Sequence, residues 1–241
     1  MVPEKQIEEF VNKLRQAAGD NLESVILYGS AASGEYIDDQ SDVNLLCVLR
    51  DTSLPKLQRL STTLDWWTRK EQPAPLITTR QEIESSADVF SIEYFDMQKR
   101  HRVLFGDDPL ANITIPMRLH RAQVEYELRE KMILLRQRLL LAGSRKDRLW
   151  TLLLDSLPSF SALFRHALMA FDGQCSPSGR EAFTAIGSRL GIDSSAFLDV
   201  LEVREGRVNA RQFNVESLAA RYLAAVEQVT ATVDKMLDSE Q

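Results

Sequence analysis

The sequence predicts an α/β (α+β) domain followed by an all-α helical bundle. Three observations predict it. Two apolar segments, Ser24–Tyr28 and Asp42–Leu49, read as strands. Each is flanked by stretches of helical period. After Pro116 the strand signals vanish and long helical stripes take over. With 241 residues, 44% of them hydrophobic, the chain can bury a core for one large or two small domains. The change of character sets the expected domains at 1–115 and 116–241.

The first element is an amphipathic helix over 3–18. Ile7, Phe10, Val11 and Leu14 share one face, Pro3 suits the first turn, and Gly19 suits the stop. A strand follows at 24–28, then a short helical turn at 31–36. Strand 42–49 is almost wholly apolar, as expected when both sheet faces are covered. Leu57, Leu60, Leu64 and Trp67 recur at helical spacing, which predicts a helix across 54–70. Pro73 and Pro75 end it and introduce a third strand at 76–78. A short helix is expected from Arg80, then a stretch through Phe90–Met97 that reads as extended or helical, then a helix to Phe105. Gly106-Asp107-Asp108-Pro109 is a turn.

In the second half, Val124, Leu128, Met132, Leu135 and Leu139 form one stripe of a long helix. Asp147 is expected to cap a second helix, kinked at Pro158. Ser178-Gly-Arg-Glu181 reads as a capping box opening a third, which ends at Gly191. A shorter helix runs from Asp193 to near Gly206. The last begins at Asn214 and carries Leu218, Tyr222, Ala225, Val229 and Val233.

Charge and composition exclude several classes. A net charge of −6 argues against broad nucleic-acid binding, which depends on Lys and Arg neutralising phosphates. No apolar run approaches the roughly 18–20 residues that span a bilayer, since Arg136 and Arg138 break the Leu-rich 132–142 segment. The N-terminus has no apolar signal region, so the expected location is the cytoplasm. Cys47 and Cys175 lie far apart without metal-ligand spacing, and Cys47 reads as a small core residue. His101, His120 and His166 show no zinc spacing. Lys99-Arg100-His101-Arg102 reads first as a solvated face. Trp66-Trp67 reads as one core and one partly exposed ring, and Arg204, Arg207 and Arg211 flank a loop at Gly206.

One constellation carries chemistry. A strand ending in Leu27-Tyr28-Gly29-Ser30 leaves backbone N–H groups unpaired where it turns into a helix, and glycine lets a phosphate approach closely. Ten residues, Ala31 to Gln40, and then Ser41 separate it from Asp42, which opens the next apolar segment. Along a strand, residues 42 and 44 point to one face with Cα atoms about 6.5 Å apart.

This Gly-Ser, gap and acidic-strand pattern resembles the nucleotidyltransferase superfamily of the DNA polymerase β and aminoglycoside nucleotidyltransferase type. The resemblance covers approximately residues 20–110, and the helical remainder is similar to the bundle that accompanies many aminoglycoside-type members. It implies a mixed sheet, with Gly29 and Ser30 holding nucleotide phosphates. Paired carboxylates at 42 and 44 would bind Mg²⁺, and a third from a neighbouring strand would complete the site. The implied reaction moves a nucleotidyl group, most simply AMP from ATP, to a small-molecule or protein acceptor with loss of pyrophosphate. The acceptor stays unknown, and a homodimer is compatible with the sequence.

The chain departs from the pattern at Asn44, which keeps a metal-ligating oxygen without the negative charge. A loss of even 3 kcal/mol of metal stabilisation slows such a reaction by roughly two orders of magnitude. The third carboxylate is expected at Glu93, with Asp96 as the other choice, if 90–96 forms the neighbouring strand. Two functions therefore stand: a weakened nucleotidyltransferase using Asp42, Asn44 and Glu93, or a non-catalytic descendant that binds a nucleotide or a partner protein.

Overall fold

The computed structural model describes residues 2–33, 42–173 and 178–238. The chain divides after Pro116 into two compact units.

The N-terminal unit opens with α1, Glu4–Ala18, whose Ile7, Phe10, Val11 and Leu14 are buried. It stops where Gly19, at φ +54°, returns its N–H to the Arg15 carbonyl. A single 3₁₀ turn leads into β1, Leu22–Tyr28, followed by the four-residue α2, Ser30–Ser33. Strand β2 spans Asn44–Leu49 and begins two residues later than the sequence suggests. The expected helix over 54–70 forms as two pieces, α3 at Leu54–Gln58 and α4 at Ser61–Thr68. Strand β3, Leu76–Thr79, leads directly into α5, Arg80–Ser85. Thr79 caps α5: its hydroxyl accepts from the Glu82 N–H while the Glu82 carboxylate accepts from the Thr79 N–H. Helix α6 is Ser91–Lys99, and β4 is His101–Gly106.

The sheet order is β3-β2-β1-β4. Strands β2 and β3 run parallel and the other pairs antiparallel, so the sheet is mixed, as the resemblance implies. Alternation divides the two central strands between two cores. Val25, Leu27, Leu45, Cys47 and Leu49 pack with Phe10, Leu14 and Trp67 on one face. Ile26, Leu46 and Val48 pack with Ile83, Tyr94, Met97 and Leu110 on the other. Both faces are covered, which explains the nearly unbroken apolar runs. Phe10 and Trp67 meet at 4.6 Å between ring centroids, and the indole N–H donates to the Pro73 carbonyl at 2.9 Å.

Strand β4 corrects the expected helix through Phe105. It is an edge strand with Arg102 and Val103 exposed, so it shows neither a continuous apolar run nor clean alternation. Gly106 faces Ser24 across the pair at φ +75°, where an added Cβ would lie 1.9 Å from the Glu23 carbonyl oxygen. The buried Ser24 hydroxyl reaches the carbonyls of Phe105 and Asp107, at 3.1 and 2.7 Å.

The C-terminal unit is helical: α7 Met117–Ala142, α8 Lys146–Asp172, α9 Gly179–Leu190, α10 Ser195–Arg204 and α11 Val215–Asp238. Helix α8 starts after Arg145 rather than being capped by Asp147, which lies in its first turn, and it contains Pro158. Ser178 caps α9 by accepting from the Glu181 N–H. Asn214 caps α11 by accepting from the N–H groups of Glu216 and Ser217. An aromatic cluster forms the core. Phe197 stacks on Tyr222 at 3.8 Å and packs against Phe160, Phe164 and Phe183. The Tyr222 hydroxyl pairs with Ser156 at 3.1 Å, and burial pushes its ionisation well above the usual range. Among the described residues, no helix is long and apolar enough to cross a membrane.

Complete burial pushes the Cys47 thiol up to about 12. In a Cys175→Ser background the folded protein should not react with a thiol reagent at pH 8, whereas urea-unfolded protein should react at once. The folded state holds this proton more tightly than the unfolded state. Its contribution to stability is therefore full below the unfolded value of about 8.5 and falls as pH rises from there toward 12. Rapid labelling of the native protein would contradict the packing of β2.

Candidate active site

The site begins where β1 ends. Tyr28 is followed by Gly29 at φ +76°, a conformation that costs any other L-residue about 1–2 kcal/mol. The chain then enters α2, and the Ala32 N–H closes on the Gly29 carbonyl at 3.1 Å. A helix of one turn carries little macrodipole. Attraction for an anion at this bend therefore rests on local N–H groups and on close approach over glycine.

Strand β2 brings its first residue against the bend. Asn44 is the cross-strand partner of Tyr28, and a Cβ added to Gly29 would lie 3.3 Å from the Asn44 side-chain nitrogen Nδ2. The sequence relation between the Gly-Ser turn and the second strand is thus a real juxtaposition, and it runs through Asn44. Asp42 is exposed and precedes the strand, Val43 is buried, and Asn44 is half-buried. The Val43 N–H donates to Gln72 Oε1 at 3.0 Å, which anchors the entry to β2.

Glu93 comes from a different element than expected. Residues 91–99 are helix α6, and the strand beside β1 is β4. Glu93 is exposed, yet its charge reaches the sheet. Burial first, then the Glu93 carboxylate, raises the ionisation of the Tyr28 phenol; burial and Glu93 also raise that of Tyr94. Asp96 lies on the same helix. Strand β3, parallel to β2, carries Leu76, Ile77, Thr78 and Thr79 and supplies no carboxylate.

Magnesium sites of the two-metal kind need several carboxylate oxygens converging on one space. Among the described residues, no three His, Cys, Asp or Glu side chains are grouped to hold a metal. At the bend the nearest side-chain atom from β2 is an amide nitrogen, which is a donor. Among the described residues, those at the bend do not make up a two-magnesium centre.

Two features of the site are not evident from the sequence. Tyr28 is Asn44's partner and senses Glu93, and Gln72 fixes Val43. The tyrosine before Gly29 was visible, but its pairing requires the strand register. The other sequence candidates are elsewhere engaged. His101 meets Asp108 at 3.0 Å and Arg102 meets Glu4 at 2.6 Å. Trp67 is buried, while Trp66 lies under Lys13 and Lys70. Arg207 pairs with Glu202 and Glu205. His120 and His166 are buried against each other, with ring centroids 5.1 Å apart.

The sheet and helices described above make up the nucleotidyltransferase fold. The chain is similar over 98% of its length, and over 99% of the other's, to the crystal structure of spectinomycin adenyltransferase AAD(9) from Enterococcus faecialis with ATP and spectinomycin. The TM-score is 0.54 and the identity 15%. At that identity the likeness establishes the fold. No family model matches the sequence, and no curated protein matches it.

Gly29→Ala is expected to destabilise the protein by about 1–2 kcal/mol, from the positive φ together with the contact to Asn44. Adding Asn44→Ala should recover only the contact, leaving the backbone strain. Urea denaturation of the single and double variants separates the two contributions, and full recovery in the double variant would refute the strained bend.

Proposed function

We propose that this protein binds a nucleoside triphosphate at the Gly29–Ser30 bend without needing a metal, and that nucleotidyl transfer has been lost or reduced to a residual rate. The observation that carries the reading is the Asn44 nitrogen at the bend. A carboxylate there repels a phosphate unless a cation lies between them. An amide N–H can instead donate directly to a phosphate oxygen. A hydrogen bond to a charged group is worth about 1.5–3 kcal/mol. Gly29 gives close approach, Ser30 adds a hydroxyl donor, and Asp42 remains as the single carboxylate at the start of the second strand. ATP is the first ligand to test, because the similar adenyltransferase was solved with it.

The second reading is a weak nucleotidyltransferase that moves AMP to a small-molecule or protein acceptor. Retention of Gly29, Ser30 and Asp42 favours it. In that case Asp42, Asn44 and Glu93 would share the work of holding Mg²⁺ and of accepting the acceptor's proton.

Calorimetric titration of ATP, with Mg²⁺ and with EDTA, distinguishes the two. We expect affinities within about threefold of each other under the two conditions, and no pyrophosphate release. Asn44→Asp should weaken binding in EDTA by roughly 10–100-fold, the equivalent of losing one such hydrogen bond, with Mg²⁺ restoring part of the loss. Turnover in the wild type that Asp42→Ala abolishes would establish the enzyme instead. Absence of ATP binding under both conditions would remove the nucleotide from either reading.

A further inference from the structure

We infer that the cavity between β3, α5 and α6 is a binding site for a small organic amine with an apolar, ring-like body. Its volume is about 440 Å³, within the range of small-molecule sites. The floor is apolar: Leu46 from β2, with Tyr94 and Met97 from α6, all buried. Leu76 and Phe90, each 49% exposed, add apolar surface to the same lining.

Charge completes the description. Among the described residues, Glu82 and Glu93 line the cavity, and no Lys, Arg or His does. The Thr79 N–H and the Thr78 hydroxyl both donate to the Glu82 carboxylate, which keeps it ionised. Phe90 and Tyr94 meet edge to face at 6.4 Å and place two aromatic rings in the lining. The site is also preformed. Ser86 gives its proton to the Glu82 carbonyl at 2.5 Å, so the Tyr94 hydroxyl, 3.1 Å from Ser86, is the donor of that pair and is held in place. An anion would meet two like charges. A neutral polyol would leave the rings and Leu76 without apolar partners. A protonated amine on a compact ring satisfies both the carboxylates and the apolar walls.

Leu46 lies two residues along β2 from Asn44, so this cavity shares a sheet face with the bend. Glu93 is shared with the candidate nucleotidyl-transfer site, whereas Glu82, Phe90, Tyr94 and Met97 belong to the cavity alone.

The test is a titration of the full chain at pH 7 with phenethylamine and its uncharged analogue 2-phenylethanol, followed by calorimetry or by ligand-observed NMR. We expect saturable binding of the amine and at least tenfold weaker binding of the alcohol. Glu93→Gln should erase most of that preference, and Phe90→Ala should weaken both ligands. Thermal melts of both variants, read beside the ratio of amine to alcohol affinity, separate a loss of folding from a loss of preference. Equal affinity for amine and alcohol, a preference that survives Glu93→Gln, or no saturation below about 10 mM would overturn the proposal. ATP titration of Phe90→Ala, a residue with no part in the nucleotide site, keeps this outcome separate from the nucleotide reading.

Discussion

The register of β1 against β2 is the constraint on which the site depends. Leu27 opposes Leu45 and Tyr28 opposes Asn44. Because side chains alternate with a period of two, a slip of one residue would turn Asn44 away from Gly29 and exchange the contents of both cores. The slip is prevented by burial on two sides. Val25, Leu27, Leu45 and Cys47 are held against α1 and α4, while Ile26, Leu46 and Val48 are held against α5 and α6. Each buried aliphatic side chain contributes about 1.5–3 kcal/mol relative to exposure, so a shifted register would forfeit far more than the site could return. The placement of Asn44 beside Gly29 is thereby fixed by hydrophobic packing that has no chemical role of its own.

What the Asn44 amide does follows from elementary electrostatics. Carboxylates crowded at a phosphate site repel the ligand and one another until a divalent cation neutralises them. Replacing one of them with an amide lowers that repulsion whether or not a cation is present. On the proposed reading, such a site would be easier to form in the folded chain and less able to gather metal. Glu93 does not restore the balance. Its exposed carboxylate raises the ionisation of Tyr28 and Tyr94, and among the described residues it joins no group of three that could hold an ion.

How much of this was legible in the sequence depended on burial. Strands β1 and β2 are covered on both faces, and their composition announces it. The caps at Ser178 and Asn214 are local chemistry and were equally plain. Strand β4 was read as helix because an edge strand with exposed Arg102 and Val103 need satisfy only one neighbour. The start of α8 was misplaced by two residues because Asp147 suits a first turn as well as a cap. Gly29, Ser30 and Asn44 could be chosen from their spacing. Glu93 could be named, but its helix could not be distinguished from a strand. The cavity beside β3 was invisible, since its walls come from four elements spread across residues 46–97.

The same face of the sheet presents two unlike surfaces a short distance apart. At residue 44 it offers donors around a glycine bend. At residue 46 it becomes the floor of an apolar cavity lined by carboxylates. Residues two apart on a strand are about 6.5–7 Å apart, less than one Debye length at physiological salt. Charges bound at these two places would therefore feel each other, and opposite charges would bind cooperatively. Glu93 lines the cavity and also raises the ionisation of Tyr28. If both ligands bind as proposed, its negative charge would oppose the anion, and a cation in the cavity would offset that opposition. Such coupling requires no movement of the fold, only that both ligands share the field of one carboxylate.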